Sequence, residues 1–243
     1  MWPYPRTLAH RGGGTLAPEN TIAALRCGLA HGYRAVEFDV MLAKDGVPVV
    51  VHDVELGRTV AGRGSIPDYT AGQLAAMDAG AWFGPAFAGE GVPGFDAVVA
   101  YCQENGIWMN IEIKPAPGFE QQTGAVVALA TRQHFASGGP LPLLSSFSIA
   151  ALEAAGNAAP ELARGWLVDA LPQDWLAQAK ALGVVAMHCD HTLLTAQQVQ
   201  AIKAEGLGVF CYTVNTPQRA SELFAWGVDG FCTDRIDLIK AME

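Results

Sequence analysis

Ala35-Val36-Glu37-Phe38-Asp39-Val40-Met41 reads as a β-strand whose apolar residues alternate with two carboxylates. Alternate strand residues point to the same face, so Glu37 and Asp39 stand side by side about 6–7 Å apart. A second stretch, Ile107-Trp108-Met109-Asn110-Ile111-Glu112-Ile113-Lys114, sets Glu112 and Lys114 together in the same manner. Further out, His10-Arg11-Gly12-Gly13 follows the apolar run Thr7–Ala9, and His52-Asp53 ends a short extension after Met41. Two carboxylates about 5 Å apart repel by roughly 3 kcal/mol at an effective dielectric of about 20. A third from another strand adds to this, and a bound divalent cation is the simplest way to offset it. The pattern implies a protein built around a metal.

Similar apolar runs recur along the chain and alternate with helical patterns. Strands are expected near Thr7–Ala9, Ala35–Met41, Ile107–Lys114, Leu143–Ser145, Gly165–Val168, Val184–His188, Gly208–Val214 and Gly230–Cys232. Helices are expected at Thr21–Ala30, Phe95–Glu104, Phe119–Gln133, Ile149–Ala155, Asp174–Ala181, Ala196–Ala204, Pro217–Ala225 and Ile236–Ala241. Asn20-Thr21, Thr195 and Thr216-Pro217 are helix-start signals, and Gly32, Gly106, Gly183 and Gly206 stand where a left-handed glycine closes a helix. Eight strand–helix units predict an α/β fold, a (β/α)8 TIM barrel. An open doubly wound sheet is the alternative, but no GxGxxG-type loop follows the first strand. All 243 residues are read as one domain. The regular alternation breaks at about residues 53–92, a Gly-, Asp- and Thr-rich insertion after strand 2 whose Trp82, Phe83 and Phe87 predict an ordered cap.

The balance of 24 acidic against 15 basic residues argues against a nucleic-acid partner, which rewards clustered cations. An anionic small substrate remains compatible, because distant net charge is screened beyond about 8–10 Å. Five cysteines without CxxC spacing read as buried reduced thiols. No run of about 18 apolar residues suggests a membrane span, and Met1–Arg6 lacks the apolar stretch of a signal peptide. A cytoplasmic enzyme with no stable membrane insertion is expected.

In a barrel of this kind, active sites gather at the carboxyl ends of the strands. His10, Arg11, Glu37, Asp39, His52, Glu112 and Lys114 all fall there. Taken singly, a strand-end carboxylate is usually a satisfied surface or capping group. Three carboxylates, two histidines, an arginine and a lysine at one end are harder to explain as packing, since buried unpaired charge costs several kcal/mol. Other polar motifs read more plainly. His188-Cys189-Asp190-His191 lacks a second ligand pair for zinc, so structural or substrate-rim roles are expected, with Asp190 the best rim residue. His31 and His134 lie near helix ends and read as solvated. Ser145-Ser146 lacks the GxSxG elbow. Glu19 reads mainly as a cap on the first helix with Asn20, with a supporting role in the site as the other reading.

At these motifs the chain resembles the glycerophosphodiester phosphodiesterases, close to the cytoplasmic bacterial type. The resemblance runs through His10-Arg11-Gly12, Pro18-Glu19-Asn20-Thr21, Glu37-Phe38-Asp39-Val40, Lys44-Asp45-Gly46, Val49-Val50-Val51-His52-Asp53 and Leu56-Gly57-Arg58-Thr59. It continues through Ala79–Phe83, Glu112-Ile113-Lys114, Ser145-Ser146-Phe147, Tyr212-Thr213-Val214-Asn215 and Gly227–Gly230. Tyr212 departs from the tryptophan common in the family. The resemblance implies a (β/α)8 barrel with an inserted cap and one divalent cation, Mg²⁺ or Ca²⁺, on Glu37, Asp39 and Glu112. It implies His10 and His52 as the acid–base pair, with Arg11 and Lys114 on the phosphate oxygens. The implied substrate is a small glycerophosphodiester, cleaved to sn-glycerol 3-phosphate and an alcohol. A phosphodiesterase acting on lysophospholipids and a catalytically dead ligand-binding barrel are the rival readings.

Overall fold

The computed structural model describes residues 2–242. Nine strands are present: β1 (Thr7–Ala9), β2 (Ala35–Leu42), β3 (Pro48–Val50), β4 (Trp108–Ile113), β5 (Leu143–Ser146), β6 (Arg164–Val168), β7 (Ala186–Asp190), β8 (Gly208–Tyr212) and β9 (Gly230–Thr233). All except β3 run parallel and form one ring, closed where Ala9 pairs with Val36 and Thr7–Ala9 pair with Phe231–Thr233. The architecture is a (β/α)8 barrel. The helices are α1 (Ile22–Ala30), α2 (Ala71–Ala75), α3 (Phe95–Glu104), α4 (Glu120–His134), α5 (Ile149–Ala158), α6 (Trp175–Leu182), α7 (Ala196–Ala204) and α8 (Pro217–Trp226).

Alternation explains how one strand can serve both a core and a site. Val36, Phe38 and Val40 of β2 face outward and join Ile111 and Ile113 of β4, meeting Phe95, Val98 and Val99 of α3 in one buried cluster. Burying a side chain of this size contributes about 1.5–3 kcal/mol. The intervening Glu37 and Asp39 are thereby turned into the barrel. Across the ring, Met187, Cys189, Val209 and Cys211 meet Val199, Ile202 and Leu223 in a second cluster. Cys189 and Cys211 thus pack as small hydrophobes, and all five cysteines are unpaired. Thr21, Thr195 and Thr216 cap α1, α7 and α8 by accepting the N–H of Ala24, Gln198 and Arg219. The four expected helix-closing glycines have φ between 61° and 86°.

One local expectation is corrected. Ile236–Ala241 is a turn, not a helix, because its backbone groups bond across the barrel floor. Tyr33 donates to the Ile239 carbonyl, and Arg6 and Thr7 donate to that of Met242. The short extension expected after Met41 is β3, which pairs antiparallel with the end of β2 as a hairpin and delivers His52 back toward the mouth. Between β3 and α3 the chain builds a small core of its own, in which Val60, Ile66, Leu74 and Ala79 pack on Met41 and Val49. Asp78 staples this segment by accepting the N–H groups of Gly80, Ala81 and Gly89. Trp82 is 45% exposed there, edge-on to Phe83.

Candidate active site

The carboxyl ends of the strands bring six of the seven sequence-predicted residues into one contact network. Glu37, Asp39 and Glu112 each offer an oxygen such that all three atoms lie within 4.8 Å of one another. Glu37 and Asp39 are both fully enclosed, and Asp39 sits directly across from Glu112 in the β2–β4 register. Lys114 Nζ lies 3.3 Å from Asp39 and 3.5 Å from Glu112. Arg11 donates its backbone N–H to Glu37 at 3.1 Å and its guanidinium to Glu19 at 2.7 Å. The left-handed backbone at Arg11, φ 50°, lets the main chain turn and aim both groups at the site.

Electrostatics divide the three carboxylates. Burial pushes each toward its neutral form. At Asp39 the Lys114 and Arg11 cations and the Asn20 amide outweigh burial and hold its pKa down at about 2. Glu37 lacks such help beyond Arg11, so burial and the neighbouring Asp39 and Glu112 charges push it well above the usual range. Glu112 is raised to about 7 by burial and then by Asp39. Three hard oxygen donors that cannot all ionise comfortably together are what a divalent cation site requires. The donor set fits Mg²⁺ or Ca²⁺ chemistry, while soft thiolate ligands are lacking in the cluster.

Each histidine is held by its own carboxylate. His10 Nδ1 lies 2.6 Å from Asp234, leaving Nε2 toward Glu37 at 3.7 Å. Asp234 is fixed in turn by the Asn215 amide at 2.9 Å. His52 Nδ1 lies 2.7 Å from Asp53. Burial, then the Arg11 and Lys114 charges, lower the His52 pKa against the pull of Asp39. His52 is tied to the network through a relay: Asp53 pairs with Arg58, Arg58 grips Glu19 with two N–H groups, and Glu19 binds Arg11. Glu19 is therefore no helix cap. Thr21 caps α1, and Asn20 instead donates to Asp39 at 2.8 Å.

Residues 10–238 match the model of the glycerophosphoryl diester phosphodiesterase family. The chain belongs to that family. A solved phosphodiesterase of Oleispira antarctica, in complex with the product sn-glycerol-3-phosphate, is 37% identical and superposes with a TM-score of 0.90 over 95% of this chain and 93% of its own. A glycerophosphodiester phosphodiesterase of Caldanaerobacter subterraneus is 32% identical, with 93% of each chain covered. One of Bacillus subtilis is 28% identical over 98% of this chain and 86% of its own.

Within this family member, four participants escaped the sequence reading: Asp234, Asn215, Arg58 and the pairing role of Asp53. Asp234 carried a readable signal, since it directly follows β9 at the same end as the other carboxylates. The decoys fall elsewhere. His188 lies inside the barrel at 1% exposure, its ring packed over the bare Gly165 backbone and against Phe210. Burial lowers its pKa to about 3, so it stays neutral. His134 is paired on the surface with Asp96 at 2.7 Å. Among the described residues, no helix is long and apolar enough to cross a membrane.

Proposed function

We propose that the protein hydrolyses glycerophosphodiesters to sn-glycerol 3-phosphate and an alcohol. One observation carries the reading: three buried carboxylates, two carboxylate-held histidines, Arg11 and Lys114 meet at the barrel mouth. The product bound by the Oleispira antarctica relative supports the same substrate class. Glu37, Asp39 and Glu112 would hold one divalent cation, Mg²⁺ or Ca²⁺, which supplies Lewis-acid stabilisation of charge on the phosphate.

The remaining work belongs to side chains. Arg11 and Lys114 bind the non-bridging phosphate oxygens. Arg11 is suited to this, because its buried Nε has no hydrogen-bond partner and an anion would satisfy it. His10 and His52 carry the protons, one removing a proton from the nucleophile and one delivering a proton to the departing alcohol. Their Nδ1 atoms are engaged by Asp234 and Asp53, which fixes each ring and directs Nε2 as the exchanging nitrogen. Asp234 and Asp53 also stabilise the imidazolium form whenever it arises. Five unpaired thiols support a reducing, cytoplasmic location.

Release of glycerol 3-phosphate from glycerophosphocholine tests the reading. The expected result is turnover with Mg²⁺ or Ca²⁺ that stops in excess EDTA. Folded protein with no release under either metal would overturn it, and turnover indifferent to EDTA would remove the cation.

A further inference from the structure

The segment inserted between β3 and α3 reaches the site through Arg58. This residue stands in a tight turn, in which the Gly57 N–H donates to the Val60 carbonyl at 2.8 Å. Val60 is buried in the small core of the segment, and Leu56 packs against the same core. The backbone on both sides of Arg58 is thus fixed by the inserted segment, while its side chain leaves it. Nε donates to Asp53 at 2.5 Å, and the two terminal nitrogens donate to the two oxygens of Glu19 at 2.9 and 2.7 Å. A planar fork of this kind is an arginine property, since a lysine ammonium is a single point charge.

The two carboxylates that Arg58 holds lead in different directions. Asp53 lies 2.7 Å from His52 Nδ1, and Glu19 accepts from the Arg11 guanidinium at 2.7 Å. One guanidinium therefore stands behind both the proton carrier and the phosphate grip, through a carboxylate in each case. An ordinary exposed ion pair contributes only about 0–1 kcal/mol. Here the Arg58 side chain is 49% exposed, but those of Glu19 and Asp53 are only 13% and 24% exposed. Burial alone would push both carboxyls up. The Arg58 hydrogen bonds are foremost among the contacts that overcome it and hold each below its ordinary range.

Resting on the phosphodiesterase reading above, we propose that Arg58 is a positioning residue, through which the inserted segment holds the proton-carrying His52 and the phosphate-binding Arg11 in fixed relation to each other. Without it, Glu19 keeps Arg11 and Asp53 keeps His52, but the bridge that sets one pair against the other is gone. Proton transfer to or from a bound phosphodiester needs that relation, because a misplacement of about 1 Å in a reacting pair costs up to roughly 10²-fold. The inserted segment then serves the chemistry from behind the reacting groups.

The test is steady-state kinetics on glycerophosphocholine with metal supplied. Arg58→Ala should lose about 10–100-fold in kcat/KM, with kcat lowered and KM raised together. Variants of the single arms separate the two parts: Asp53→Asn should act mainly on kcat, and Glu19→Gln mainly on KM. Guanidinium ion at millimolar concentration should restore turnover to Arg58→Ala, whose half-exposed site it can enter, and leave the wild type as it was. Arg58→Lys keeps the charge without the fork and should show the same joint shift in smaller measure, which serves if the Ala variant does not fold. Values of kcat and KM close to those of the wild type in these Arg58 variants overturn the proposal. A lowered melting temperature with normal turnover per folded molecule does so too, and would make Arg58 a staple of the inserted segment alone. A change in only one of the two constants removes the bridge. Absence of turnover in the wild type would defeat the phosphodiesterase reading itself, and the positioning role with it.

Discussion

The two ends of the barrel contrast sharply. The carboxyl end is crowded with titratable groups, and the cavity beside His52, Glu19 and Thr59 is small. The amino end holds a concavity of about 1290 Å³, floored by Trp2, Tyr4 and Trp108. Tyr4 stacks on Trp108 at 4.9 Å, and Trp2 packs on Phe210 at 6.0 Å over the bare Gly208. The metal-type carboxylate cluster lies wholly at the carboxyl end. Size therefore marks the end that is closed by packing, and mutual electrostatic stress marks the end that performs chemistry. Parallel strands explain the asymmetry, because every βα loop leaves at one end and every returning loop enters at the other.

The contrast predicts effects that differ in kind between the ends. At the carboxyl end, His10→Ala or His52→Ala should lower kcat by roughly 10²–10⁴ with an unchanged melting temperature, the usual share of acid–base catalysis. Near-normal turnover in both variants would dissolve the assignment. Next in size is a pH effect on metal-free protein. Glu112 titrates at about 7 in the fold against 4.5 in its absence, so between those values the folded state holds more protons than the unfolded one. The Glu112 contribution, read as the wild-type stability minus that of Glu112→Gln so that the opposite contribution of buried His188 cancels, should then fall by roughly 3 kcal/mol as pH rises from about 4.5 to 7. Added Mg²⁺ or Ca²⁺ should flatten this difference, whereas a difference already flat without metal would mean that the carboxylates are relieved in another way.

Smaller again, Asp234→Asn should cost about 10–100-fold in kcat, in line with hydrogen-bond partners that orient a functional histidine. Activity at the wild-type level would show that His10 needs no such hold. At the amino end, Trp2→Ala should lower stability by about 1–3 kcal/mol through lost aromatic packing, and leave kcat per folded molecule unchanged. A selective loss of kcat in that variant would break the division between the two ends.

The barrel was legible because period-two strands and 3.6-period helices alternate with clear caps, and each signal is local. Glu37, Asp39, Glu112 and Lys114 were legible for the same reason, since strand alternation alone fixes their shared faces. The pairing of Asp234 was not, because its partner His10 is 224 positions away and only ring closure joins them. Arg58 is a surface-type residue in an irregular segment, and nothing local says that its guanidinium bridges Asp53 and Glu19. Asn20 looked like a helix start, yet its backbone at φ 58° turns the amide to Asp39 instead. The expected last helix failed because tertiary bonds to Thr7, Arg6 and Tyr33 outcompete one isolated helical turn.

The span between His10 and Asp234 also bears on how the enzyme comes into being. During synthesis, β1 emerges before the other strands and waits for β9, its hydrogen-bonded neighbour, until all the strands between them have been made. Until that seam zips, His10 lacks the carboxylate that orients it, and the edges of β1 and of the growing sheet are open to foreign strands. Competence for catalysis and protection from aggregation thus arrive together, in the single late event that turns an open sheet into a ring.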